Sequence, residues 1–155
     1  MRSARIVLFA VAALLALPAL AQTQSDMQIL AEKIKADKKL VVAANMQLTD
    51  EEAKGFWPVY EAYQKDLQAL NQRLLAAITS YADAYNQGAV SDETAKKLIN
   101  EAIAIEEAEA KLKRAYVPRL EKVVPGVKVA RYIQIENKIR AIVRYELAAQ
   151  VPLAE

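Results

Sequence analysis

The chain has 155 residues with no cysteine and no histidine, and 21 basic side chains face 19 acidic ones. Without cysteine there is no disulfide and no thiol chemistry. Without histidine the commonest general base, the commonest transition-metal ligand and the usual switch near neutral pH are missing. Three glycines among abundant Ala, Leu, Glu, Lys and Gln favour helix over most of the length, and packing alone must stabilise it.

Arg2 and Arg5 precede an unbroken apolar run from Ile6 to Leu17, followed by Pro18 and Ala19-Leu20-Ala21. A charged start, an apolar segment and small residues at A-x-A positions are the order of a secretory signal. Residues 1–21 are therefore read as a cleavable signal peptide, cut between Ala21 and Gln22, with a single helical domain over 22–155. The run is short for a bilayer span, which argues against a retained anchor. With no cysteine after it, the lipoprotein route is closed. No later segment is continuously apolar, so no stable membrane insertion is expected after cleavage. The expected location is the periplasm, where nucleic acid is not an expected partner.

Removing Arg2 and Arg5 leaves 19 basic and 19 acidic residues, unevenly placed. Residues 22–110 hold 9 basic and 15 acidic side chains, whereas residues 111–155 hold 10 and 4. The processed chain is neutral but polarised along its length.

The first helix is expected to start after Ser25, which has capping-box spacing to Gln28. Met27, Leu30, Ile34 and Val41 then share a face, with Lys33, Lys35, Lys38 and Lys39 mostly elsewhere. The second helix opens at Leu48-Thr49-Asp50-Glu51-Glu52-Ala53. Thr49 can accept from the Glu52 amide while Glu52 reaches back, and Leu48 can pack over Ala53 as a staple. Asp50, Glu51 and Glu52 suit the positive end of the helix dipole. Apolar residues follow at 56, 60, 63, 67, 70, 74, 78, 81 and 85, a coiled-coil-like seam sustained for four heptads.

Asn86-Gln87-Gly88 breaks that pattern. A third helix opens at Val90-Ser91-Asp92-Glu93-Thr94-Ala95-Lys96, which repeats the order of residues 48–54 after 42 residues. Leu98, Ala102, Ile105, Leu112, Tyr116, Leu120 and Val123 form its seam, interrupted by Glu109, and Pro125-Gly126 ends it. A fourth helix from about Val127 to Gln150 is expected to bury Val129, Tyr132, Ile135 or Glu136, Ile139, Ile142 and Val143, with Pro152 as its stop.

The fold class is thus all-α: a long antiparallel hairpin over about 49–86 and 91–124, flanked by two shorter amphipathic helices. A turn centred on Gly88 sets residue 58 level with residue 118, and both are proline. Interior prolines delete hydrogen bonds and bend helices. Trp57, Pro58, Tyr60, Tyr116 and Pro118, with Phe56 and Tyr63, are therefore the expected constituents of a hairpin bend.

No catalytic motif is present: no Gly-rich phosphate loop, no nucleophile elbow, no HExxH. Glu106, Glu107 and Glu109 are close in sequence, but a helix points them apart. Nothing in the spacing makes a metal site with Met27 or Met46. A binding protein without cofactor is expected rather than an enzyme. Lys128, Arg131, Lys138, Arg140 and Arg144 stand against Glu136 and Glu146 on the fourth helix. They can pair with the acidic earlier helices within a bundle or dimer, or form a basic, partly apolar surface that captures acidic or unfolded partners. The stretch from Tyr132 to Arg140 has apolar residues on more than one face, which means burial on two sides or one side left for a partner.

A signal segment followed by a small helical protein with two L-T-x-x-Q-like helix starts resembles the Spy/CpxP group of periplasmic stress proteins. Leu48-Thr49-Asp50-Glu51-Glu52 carries the resemblance, and Val90-Ser91-Asp92-Glu93-Thr94 repeats it more weakly. Glu52 and Thr94 stand where the motif has glutamine, which marks the chain as a divergent member. The resemblance implies an ATP-independent chaperone or envelope-stress protein, a curved helical homodimer whose concave basic and apolar surface holds clients. Arg131, Lys138, Arg140 and Arg144 would then attract unfolded or partner proteins. Metal-sensing relatives rely on His and Met ligands, and histidine is missing here. Two alternatives remain at this level: an adaptor for the periplasmic sensor domain of a signalling protein, and a structural coiled-coil protein of the envelope.

Overall fold

The structure, a computed structural model, describes residues 37–88 and 90–154. The expected signal segment 1–21, its Ala21–Gln22 cut, the Ser25–Gln28 helix start and the face formed by Met27, Leu30 and Ile34 lie outside the described residues. The chain divides into two compact units, Met1–Val41 and Val42–Glu155. Of the first, residues 37–41 are helical, and the second opens on helix over residues 42–46 (α1). The second holds α2 (Asp50–Asn86), α3 (Asp92–Leu120) and α4 (Gly126–Gln150), and the described residues contain no strand.

Local chemistry explains each boundary. Thr49 caps α2: the Glu52 amide donates to Thr49 Oγ1 at 3.2 Å, and the Thr49 amide donates to Glu52 Oε2 at 2.8 Å. Both arms of the capping box are therefore closed, and Leu48 packs against the core beside it. Ser91 caps α3 by accepting from the Thr94 amide at 3.2 Å. With threonine in place of glutamate the reciprocal arm is missing. Between these helices Gly88 adopts φ +108°, a backbone that L side chains rarely take. Its amide donates to the Tyr85 carbonyl and closes the α2 end.

α3 stops at Leu120, four residues short of the expected 124. The amides of Val123 and Val124 both turn back to the Leu120 carbonyl at 2.9 Å. Pro125 then caps α4 through its carbonyl, which accepts from the amides of Lys128 and Val129. The shortened α3 corrects the expected boundary. Both prolines lie inside their helices as expected, Pro58 deep in α2 and Pro118 in the last turn of the shortened α3. Both prolines are exposed.

The hairpin register follows from three contacts. Gly55 stands against Val123, Tyr63 against Tyr116 with ring centroids 5.3 Å apart, and Arg73 pairs with Glu101 at 3.0 Å. Pro58 therefore lies within a turn of Pro118. The α2 seam is fully buried at Phe56, Tyr60, Tyr63 and Leu67, and only partly buried from Leu70 to Tyr85.

α4 runs beside α2 in the same direction, and rings bridge the two helices. Tyr132, fully buried, meets Phe56 at 5.2 Å edge-on and Tyr60 and Tyr63 at 6.0 Å. Edge-to-face pairs add about 0.5–1.5 kcal/mol each beyond their buried area. Trp57 stacks edge-on against Phe56 and Tyr60. Val42 and Met46 of α1 complete this core, whereas Val41 is exposed. On α4, Val129, Tyr132 and Glu136 are buried, and Ile135, Ile139 and Val143 half-buried. Ile142 departs from expectation: it is 61% exposed because it lies across the helix from Arg140, which faces the hairpin.

Gly55 explains how α2 and the turn after α3 come so close at this end. A Cβ placed there would lie 2.9 Å from both Cβ and Cγ1 of Val123. Glycine inside a helix normally costs about 0.5–1 kcal/mol relative to alanine, so Gly55→Ala would stabilise an open site. Here overpacking of about 1–3 kcal/mol outweighs that gain. Urea unfolding of Gly55→Ala should show net destabilisation, largely relieved by adding Val123→Ala; a stabilised single variant would contradict the close approach.

Candidate functional site

α3 and α4 meet along an antiparallel line of polar contacts with constant register. Glu106 pairs with Arg144 at 3.2 Å, Glu109 with Arg140 at 2.7 Å, and the Lys113 ammonium donates to Asn137 Oδ1 at 2.9 Å. Glu109 sits at a core position and is 3% exposed. A carboxylate so placed is costly unless paired. Three cations meet it: Arg140 through Nε at 2.9 Å, Lys113 at 3.2 Å and Arg144 at 3.3 Å. Asn71 on α2 accepts from Arg140 Nη1 at 2.7 Å, which joins all three helices.

What reads in sequence as an interruption of the α3 seam is thus the centre of a polar network. Glu106 and Glu109, one turn apart, converge on Arg144, contrary to the expectation that all three neighbouring glutamates diverge; Glu107 is exposed. A second buried carboxylate, Glu136, accepts from Gln64 Nε2 at 2.8 Å, and Gln64 also donates to the Tyr132 hydroxyl at 3.1 Å. The clue in sequence was a charged residue at a core position of an apolar seam. It marks Glu109 and Glu136 but does not name their partners.

The four cations singled out in sequence divide. Arg140 is mostly buried in the ion-pair network, with 13% of its side chain exposed. Arg144 is partly paired and close to half exposed. Arg131 donates to the Gln47 side-chain carbonyl at 3.1 Å, and Lys138 is exposed with no partner among the described residues. Of the helix-start residues, Leu48 and Thr49 shape the start of α2, and Val90 and Ser91 that of α3. Glu52 also pairs with Lys128, whose ammonium donates to the Gln47 carbonyl at 2.8 Å. Gln47 has φ +51°, uncommon for a non-glycine residue, so two α4 cations hold a left-handed link between α1 and α2. Trp57, Tyr60 and Tyr116 belong to the aromatic core. Tyr116 donates to Asp66 Oδ2 at 2.6 Å and lies under the Arg119 guanidinium.

The seam opens outward as a groove of about 500 Å³, lined by Glu106, Glu109, Lys113, Asn137, Arg140 and Arg144. Apolar side chains stand in solvent on the same two helices: Ile99 and Ile103, one turn apart, on α3, and Ile142 and Tyr145 on the side of α4 turned away from Arg140. Each of these four is more than half exposed. Among the described residues, no group of three or more acidic side chains could hold a metal ion, and no helix is long and apolar enough to cross a membrane. No family model matches the chain, and no curated protein or solved structure matches it.

Burial pushes the Glu109 carboxyl up, but the charges of Arg140 and Lys113 outweigh it and hold the group below its ordinary value. Glu52 is also held low, by the Lys128 hydrogen bond and the Thr49 amide. Burial raises the Tyr60, Tyr63 and Tyr132 hydroxyls, helped by Glu136, so they stay protonated in the core.

Two predictions follow from the network. Removing one partner of a buried pair strands the other, so Glu109→Ala should cost about 3 kcal/mol in urea unfolding. The Glu109→Leu, Arg140→Leu double variant should lose less than the two single changes added together. Because Glu109 and Glu52 have lowered values in the fold, the unfolded chain binds more protons as acid is added. Their stabilisation is full above the ordinary carboxylate value of 4.5 and is lost as pH falls through the lowered folded values. Unfolding midpoints measured from pH 7 to pH 3 should decline below that point, and less steeply in Glu109→Gln. An equal decline in both proteins would show that Glu109 contributes nothing to acid sensitivity.

Proposed function

We propose that this chain is an ATP-independent client-binding protein of the cell envelope, which holds unfolded proteins on the α3–α4 face. The observation that carries this reading is the exposure of large apolar side chains on both helices: Ile99 and Ile103 one turn apart on α3, and Ile142 and Tyr145 on the same α4 face as exposed Lys138. Large apolar residues clustered on a surface and rimmed by charge are a mark of protein binding. Charges at the rim speed encounter and the apolar side chains hold what arrives. α4 thus uses one face for its own core and turns a second outward. The N-terminal export signal and the Leu48–Glu52 and Val90–Thr94 helix starts support an envelope location and a Spy/CpxP-like role.

The binding surface on this reading differs from the one drawn from sequence. Arg140 is committed to Glu109 and serves to position α4, and Arg131 is tied to Gln47. Arg144 is half exposed but paired with Glu106 and Glu109, which leaves Lys138 as the client-facing cation.

The processed chain from Gln22 should suppress light scattering of a reduced, unfolding protein without nucleotide. An Ile103→Ser, Ile142→Ser, Tyr145→Ser variant should need about tenfold more protein for equal suppression while keeping its helical circular dichroism. Absence of suppression at molar excess would overturn the function, and full activity in the triple variant would overturn the surface. A pull-down returning one stoichiometric partner would instead indicate an adaptor.

A further inference from the structure

The other half of the α3–α4 face has a different character. Residues 108–140 contain nine cations, and only Glu109, Glu121 and Glu136 are acidic. Glu109 and Glu136 are buried, so their charges point inward; Glu121 is the exposed acid. Four of the cations are engaged internally: Lys113 and Arg140 by Glu109, Lys128 by Glu52, and Arg119 over the Tyr116 ring. Lys111, Arg114, Lys122 and Lys138 are exposed and have no partner among the described residues. Arg131 bonds only a neutral amide and keeps its charge. Over this stretch two of the three acids are turned inward, and most of the cations stand outside.

We propose that this cationic end docks on an anionic phospholipid surface. The Lys113–Asn137 hydrogen bond sets α3 and α4 side by side at this level, with Lys111 and Arg114 exposed on α3 and Lys138 exposed on α4. Lys111 and Arg114 lie on α3 and Lys122 in the turn just after it, while along α4 Arg131 and Lys138 stand about 10 Å apart. Such a spread is too wide for one phosphate and matches an array of headgroups. None of the five lines the groove between the helices, so they present a surface rather than a socket for an inserted side chain. Val127, 74% exposed one turn before Arg131, supplies an apolar side chain that a bilayer interface accepts. Each cation near an anionic leaflet strengthens attachment roughly fivefold, and salt screens the attraction.

The test is co-flotation of the processed chain with phosphatidylglycerol/phosphatidylcholine vesicles and with phosphatidylcholine vesicles alone. Binding is expected to the anionic vesicles only, with loss at high salt. Lys111→Glu, Arg114→Glu, Lys122→Glu should weaken it by at least about tenfold with unchanged helical circular dichroism, and Ile142→Ser, Tyr145→Ser should leave it intact. Equal binding to both vesicle types, no binding to either, or an unaffected charge-reversed variant would overturn the proposal. So would capture of a soluble acidic polypeptide without vesicle binding, which would assign the surface to a protein partner. Loss of aggregation suppression with vesicle binding retained would sink the client reading alone.

Discussion

The pairing of Glu109 with Arg140 fixes how α4 lies on the hairpin. Apolar burial favours contact between helices but scarcely distinguishes one register from the next, because aliphatic and ring contacts reform after a shift. A buried carboxylate tolerates no such shift. It needs its guanidinium at 2.7 Å, and moving α4 by one turn would strand both charges. The neighbouring contacts, Glu106 with Arg144 and Lys113 with Asn137, agree with that single register. The exposed face of α4 is set by the same constraint: once Arg140 points inward, Ile142 and Tyr145 must point out.

Much of the fold could be read directly from the residues. Capping at Thr49 and Ser91, the break at Gly88 and the heptad seam are local signals, decided within a few residues, and they place α2 and the start of α3 closely. The end of α3 was harder. Pro125-Gly126 suggested a later stop, but the chain turns at Leu120, where Val123 and Val124 fold back toward Gly55. That packing joins residues nearly seventy positions apart, and no local pattern reveals it. The polar network was hidden for the same reason. Glu109 could be recognised as anomalous in its seam, whereas Arg140, Asn71 and Lys113 become its partners only through tertiary register. Tyr132 likewise reads as one more apolar-face residue until three α2 rings are seen around it.

The polarity of the chain also takes on structural meaning. The excess of cations after residue 110 could have been consumed by the acidic excess before it, which is the simplest expectation for a helical bundle. Only part of it is. Glu109 gathers three cations and Glu52 takes Lys128, while other acids of α2 lie on exposed positions such as Asp50 and Asp83. Self-neutralisation is incomplete because helices exchange charges only along the edges where they touch. The remaining faces keep whatever sign their sequence supplies.

The link at Gln47 shows what that arrangement does mechanically. Its left-handed backbone is held by Lys128 at the carbonyl and Arg131 at the side chain, and the two ties differ in kind. Lys128 is anchored by a carboxylate partner as well, so it behaves as a rivet. Arg131 grips only a neutral amide, so it behaves as a latch. A competing anion would face a single hydrogen bond there, and drawing Arg131 away would leave the strained link held from one side.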